Sequence, residues 1–133
     1  MAPTKGIRNN NPLNVEYSER NPWQGQSGTD GRFAIFETAF YGIRAAARTM
    51  KTYRDKHGLK TIEAIVNRWA PPSDNNPTQN YINFVANKAG VTATKPLSMA
   101  DYPRVVAAMI HFENGYNPYE HSEISSATAA GFK

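Results

Sequence analysis

The stretch from Pro103 to Tyr119, PRVVAAMIHFENGYNPY, constrains the rest of the chain more than any other. At 3.6 residues per turn it is an amphipathic helix, with Pro103 in the first turn, where its missing N–H is no loss. Val106, Met109 and Ile110 make the apolar stripe, and the next position on that stripe is Glu113. Asn114-Gly115 ends the helix, because both residues tolerate the left-handed backbone of a C-terminal cap. A carboxyl group on the core-facing side of a last turn is driven towards its protonated form by apolar neighbours and by the negative end of the helix dipole. In that form a carboxyl serves as general acid in glycoside cleavage. The plainer alternative has Glu113 bending out to water or pairing with Arg or Lys, as most glutamates do.

The continuation, Glu113-Asn114-Gly115-Tyr116-Asn117-Pro118, resembles the end of the catalytic helix in lytic transglycosylases and related lysozyme-like enzymes, where Glu-Ser-Gly-Phe-Asn-Pro or a close variant stands. The resemblance implies a lysozyme-like α+β fold, mainly α, with about five or six helices and one small β-hairpin near the N-terminus. It also implies Glu113 as the catalytic acid, assisted by Tyr81, on peptidoglycan glycan strands. Asn11, Asn14, Trp23, Thr78, Asn114, Tyr116 and Asn117 are the side chains expected to bind the substrate.

A chain of 133 residues is long enough for one domain with one core. Within it, residues 1–37 read as loop and hairpin, 38–119 as a helical core with the catalytic helix at 103–114, and 120–133 as a tail. Hydrophobic content of 40% and charged content of 20% fit an ordinary globular chain rather than a disordered one. With no cysteine there is no disulfide scaffold, and the redox compartment is left open. No apolar run approaches a bilayer span, and residues 1–11 are too polar for a signal peptide. The net charge of +4 is a mild bias towards anionic partners such as an acidic envelope, and by itself selects none. A monomer is expected.

Taken in order, Asn9-Asn10-Asn11-Pro12 reads as a turn. Residues 13–17 and 32–36 alternate apolar and polar and are expected to pair as the hairpin. Trp23 lies between them, either a lid on the core or part of a sugar cleft. Thr38 is a candidate N-cap for a long helix ending at Gly58, with Phe40, Ile43, Ala47 and Met50 inward. Arg44, Arg48 and Lys51 form a basic stripe on another face, either solvated surface or a contact for anions. Thr61 to Ala70 is a short helix stopped by Pro71-Pro72, and a further helix runs from about Pro77 to Ala89. Tyr81 near its start either lines a cleft opposite Glu113 or is an ordinary core tyrosine. Ser98 and Asp101 have capping-box spacing. The small, polar tail is either frayed or holds one short closing helix.

A wider resemblance runs through residues 6–15, Trp23-Gln24-Gly25, residues 30–36, Gly42-Ile43-Arg44-Ala45, residues 68–72, Asn80-Tyr81-Ile82 and residues 111–115. Together these are similar to a phage and prophage group often called virion structural proteins, some of them peptidoglycan-degrading. That group implies a phage-encoded protein made in the host cytoplasm, acting at the cell wall after holin-type release or as part of a virion. In ordinary lytic transglycosylases the Glu helix comes early and the hairpin follows. Here the order is reversed, as in a circular permutation, which is cheap when termini lie together at the surface.

Glu113 is the one strong carboxyl, with Glu16, Asp30, Glu37 and Asp74 as weak seconds, a pattern closer to lytic transglycosylases than to two-carboxylate hydrolases. His57, His111 and His121 lack metal-ligand spacing, so neither metal nor cofactor is expected, with weak binding by His121, Glu120 and Glu123 as the one alternative. No phosphate loop or serine-nucleophile setting occurs. Two rivals stand beside the enzyme: a non-catalytic virion component that keeps the fold for binding, and a nucleic-acid binder using the basic stripe, for which no recognised motif speaks.

Overall fold

In a computed structural model, residues 3–133 are described; Met1 and Ala2, the start of the polar stretch read as lacking a signal peptide, lie outside them. The chain is mainly helical with one small antiparallel sheet. In order it forms α1 (Lys5–Arg8), β1 (Gln26–Thr29), β2 (Ala34–Phe36), α2 (Ala39–His57), α3 (Ile62–Trp69), a 3-10 turn at Pro72–Asp74, α4 (Thr78–Ala89), α5 (Tyr102–Asn114) and α6 (His121–Gly131).

Local chemistry fixes most of these boundaries. Thr61 caps α3, its hydroxyl accepting the Ala64 N–H at 3.1 Å, while Thr38 precedes α2 without such a bond. Helices α2, α4 and α5 end on Gly58, Gly90 and Gly115, each left-handed. The Asp101 carboxylate accepts the Ser98 N–H at 2.9 Å in the turn before α5, but Asp101 rather than Ser98 is the N-cap, so the expected capping box does not form.

One apolar core joins the helices: Ile43 and Met50 of α2, Ile65 and Val66 of α3, Ile82 and Val85 of α4, Val106, Met109 and Ile110 of α5, and Ile124 of α6. Phe40, expected inside, is only partly covered. The 120–133 segment is structural rather than frayed. Its helix α6 makes the most extensive helix contact in the molecule, against α2. A Cβ on Gly131 would come within 2.6 Å of both the Ala47 Cβ and the Arg44 carbonyl oxygen, so small residues set this close approach.

The hairpin differs from the expected one. Strand β2 pairs with β1, in the register Gln26↔Phe36 and Thr29↔Ala34, not with residues 13–17. Asp30 builds the turn by accepting the N–H groups of Arg32 and Phe33 at 3.1 and 2.8 Å. Residues 13–17 instead contribute a single bridge, Glu16 to Phe33, on the other edge of β2. Asn14 interrupts them with a left-handed backbone (φ 54°), so no continuous strand forms. The N-terminal loops lie tightly on α2: a Cβ on Gly42 would stand 1.9 Å from the Asn10 carbonyl oxygen.

Candidate active-site groove

Glu113 lies in the wall of a groove of about 1030 Å³ between the N-terminal loops and the helices. Helix α4 brings Tyr81 to it, and the Tyr81 hydroxyl donates to Glu113 Oε2 at 2.6 Å. Tyr81 is in turn stacked on Phe112, with ring centroids 4.3 Å apart and planes 20° from parallel. That packing fixes the phenol, so its hydroxyl serves the carboxyl group rather than swinging free.

Burial pushes the Glu113 carboxyl up from 4.5 to about 7, against the opposing pull of Tyr81 and of the Asn14 side chain, both of which favour the anion. Tyr81 itself is held well above its ordinary value by burial first and then by the adjacent Glu113, so it remains a donor. An acid that changes charge near neutrality, with two polar side chains addressing it, can give up a proton and take one back.

The sequence-derived candidates separate into three groups. Asn14 and Trp23 line the groove with Glu113 and Tyr81. The Asn14 Oδ1 is buried without a hydrogen-bond partner among the described residues. Asn11, Asn114 and Thr78 are buried and committed to the fold. Asn11 donates to the Val15 and Ala34 carbonyls at 2.9 and 2.8 Å and accepts the Val15 N–H at 2.9 Å. Asn114 donates to the Pro12 and Ile110 carbonyls, both at 2.9 Å, and accepts from the Thr4 hydroxyl. Thr78 donates to the Ala70 carbonyl at 2.6 Å. These three offer nothing to a ligand in the groove. Tyr116 and Asn117 line a separate hollow with Lys88, Arg104, His111 and His121.

Of the weaker carboxylates, Glu16 and Asp74 line the groove, and Glu16 is 3.5 Å from Arg32. Asp30 is a turn residue whose carboxyl is held well below its usual range by the Phe33 and Arg32 N–H groups. Glu37 is exposed and does not line the groove. The groove also holds aromatics read from the sequence only as helix residues, Tyr53, Trp69 and Phe112. Their signal was present but mixed with that of core packing, since Trp69 ends an apolar stripe and Tyr53 sits on α2 beside it.

The basic stripe is largely engaged. Arg48 donates to the Lys133 carbonyl at 2.7 Å, and Lys51 pairs with Asp55 at 2.7 Å. Among the described residues no group of three or more His, Asp or Glu side chains could hold a metal ion. No described helix is long and apolar enough to cross a membrane.

No family model matches the chain. Over 132 residues it is 46% identical to Protein P5 of Pseudoalteromonas phage PM2, an alignment covering 96% of this chain and 82% of that protein.

Proposed function

The chain belongs to the family of that phage protein, and from this premise we propose that it is a peptidoglycan-degrading glycosidase of the lysozyme-like kind. Its substrate is the β-1,4 bond between N-acetylmuramic acid and N-acetylglucosamine, and Glu113 is its acid and base. The observation that carries this reading is the Glu113–Tyr81 pair, an acid titrating near 7 in the wall of an open groove.

Protonated Glu113 gives its proton to the glycosidic oxygen as the bond to the anomeric carbon breaks. The resulting carboxylate then takes a proton from the incoming oxygen, either the muramic C6 hydroxyl, which closes a 1,6-anhydro ring, or a water molecule. Tyr81 is a positioning residue in this scheme: its hydroxyl holds Oε2. The site's one strongly perturbed carboxyl suits the ring-closing route, in which the substrate supplies the nucleophile. The lysozyme-like reading with reversed order gains support from the seam itself, where Asn14 from the N-terminal loops meets Glu113 from the C-terminal helix.

Clearing of purified peptidoglycan by wild type and by Glu113→Gln, with released muropeptides identified by mass, tests the proposal. The expectation is a loss of about 100-fold or more in the variant, the usual scale for removing a general acid, and anhydromuramic products from wild type. Reducing ends alone would replace ring closure by hydrolysis. No clearing by a folded wild-type protein would leave a phage component that binds without cutting.

A further inference from the structure

The two tryptophans of this chain both face the groove, and both have their indole N–H tied to the same short segment. Trp69 Nε1 donates to the Leu13 carbonyl at 3.2 Å, and Trp23 Nε1 donates to the Glu16 carbonyl at 3.1 Å. Those two carbonyls are three residues apart, a reach of at most about 10 Å along the chain. Between them stands Asn14, whose left-handed backbone marks the place where the segment meets Glu113. Both indoles and the acid thus line one groove, tied to a single short segment whose two anchoring carbonyls bracket Asn14 in the chain.

Further contacts surround the two anchoring points. Trp69 meets the Tyr53 ring edge-on at 5.9 Å, and the Arg68 guanidinium lies over Tyr53. At the Trp23 end, Arg32 covers Phe33 at 4.8 Å and pairs with Glu16. An indole whose only polar atom is already bonded offers a ligand its apolar ring rather than a hydrogen bond. The ligand surface matching such a ring is the C–H face of a pyranose, with its hydroxyls directed to the groove's polar side chains, among them Asp74, Asn75 and Asn76.

We infer that the groove takes a continuous β-1,4-linked glycan across its length, with one sugar on Trp69 and another on Trp23 at opposite sides of Glu113. Cleavage therefore falls within a strand rather than at its end. This deepens the glycosidase reading and rests on it for the cutting step, while the binding geometry stands on the two indoles alone.

Because these are the only tryptophans, each can be watched alone. In a Glu113→Gln background, Trp23→Phe leaves Trp69 as sole emitter and Trp69→Phe leaves Trp23. Fluorescence titration of both with a dimer and a hexamer of β-1,4-linked N-acetylglucosamine should show the hexamer shifting both indoles. The dimer, filling one side, should shift no more than one and bind up to about tenfold more weakly, the weight of one lost stacking contact. A hexamer that perturbs one indole only, or that binds no better than the dimer, overturns the inference even if wild type clears cell walls. Should both indoles respond while wild type cuts nothing, the glycan site stands and the catalytic reading fails. Hexamer and dimer titration of the parent Glu113→Gln protein, which keeps both indoles, repeats the affinity comparison if either phenylalanine variant misfolds, and a hexamer that binds no better than the dimer overturns the inference there too.

Discussion

In the helices, Ile65, Val66, Met109 and Ile110 fill the interior with hydrocarbon, whereas residues 9–37 add to the buried Leu13 and Phe36 a fully buried polar side chain, the amide of Asn11. The helical body is held by apolar packing, which is non-directional and tolerates adjustment. The loop region is held by directed bonds from polar side chains to backbone: Asn11 to Val15 and Ala34, Asp30 to Phe33, and Gln26 to Ser18. The groove runs along the seam. Helices supply Glu113, Tyr81, Phe112 and Trp69, and the loops supply Asn14, Glu16 and Trp23. The contrast teaches that burial by the helices sets the acid's proton affinity, while the polar loops aim side chains at it.

The contrast is tested first at Asn11. Replacing it by Ala removes three buried hydrogen bonds and strands the Val15 N–H, while the Val15 carbonyl keeps the Ala34 N–H, at about 2–4 kcal/mol in all. Ile65→Ala, at about 2–5 kcal/mol, is the helical counterpart. Equilibrium urea unfolding should therefore rank Asn11→Ala with the core deletion. A cost below about 1 kcal/mol would mean that the polar centre is ornamental.

Glu113 comes next, with a pH signature. Its folded pKa of about 7 lies above the reference 4.5, so the fold favours the protonated form. The associated stability is fully present below about 4.5 and is lost as pH rises through 7. Glu113→Gln removes this dependence. At pH 8 the variant should be more stable than wild type by up to about 3 kcal/mol, and the two should converge near pH 4. Thermal melts at the two pH values check the sign, and a variant less stable at pH 8 would oppose it.

Gly42→Ala probes the seam directly, because the added methyl meets the Asn10 carbonyl oxygen at 1.9 Å. A destabilisation of about 1–3 kcal/mol is expected, with amide shifts spreading through residues 9–14 in NMR spectra. Shifts confined to α2 would show that the loops yield without consequence. The smallest effect sharpens the helical side: Thr61→Ala should cost about 1 kcal/mol through its lost cap, and Thr38→Ala close to nothing. Equal costs in denaturant melts would undo that distinction.

The same division explains what the sequence made legible. The long helices announced themselves through periodicity and glycine stops, signals that are local and strong. The loop region did not. Strand β1, Gln26–Thr29, has no apolar alternation, so nothing marked it as the partner of β2. Residues 13–17 alternate properly, yet the turn at Asn14 leaves them one bridge. The four-residue α1 is too short to carry a period. Small residues in 121–131 suggested fraying as readily as close helix packing. For the site, Glu113 was readable because a polar residue on an apolar stripe is conspicuous, and Tyr81 only through the lysozyme-like resemblance. Asparagine is ambiguous by nature: its amide suits a sugar hydroxyl and a backbone carbonyl equally, so Asn11 and Asn114 could not be told from Asn14 before the backbone was placed.

The account depends most on the proton carried by one carboxyl, and a ¹³C NMR titration of the Glu113 side chain reads it directly. The predicted midpoint is near 7, rising further in Tyr81→Phe, because the phenol's hydrogen bond favours the anion. A midpoint near 4.5, unmoved by Tyr81→Phe, would contradict it.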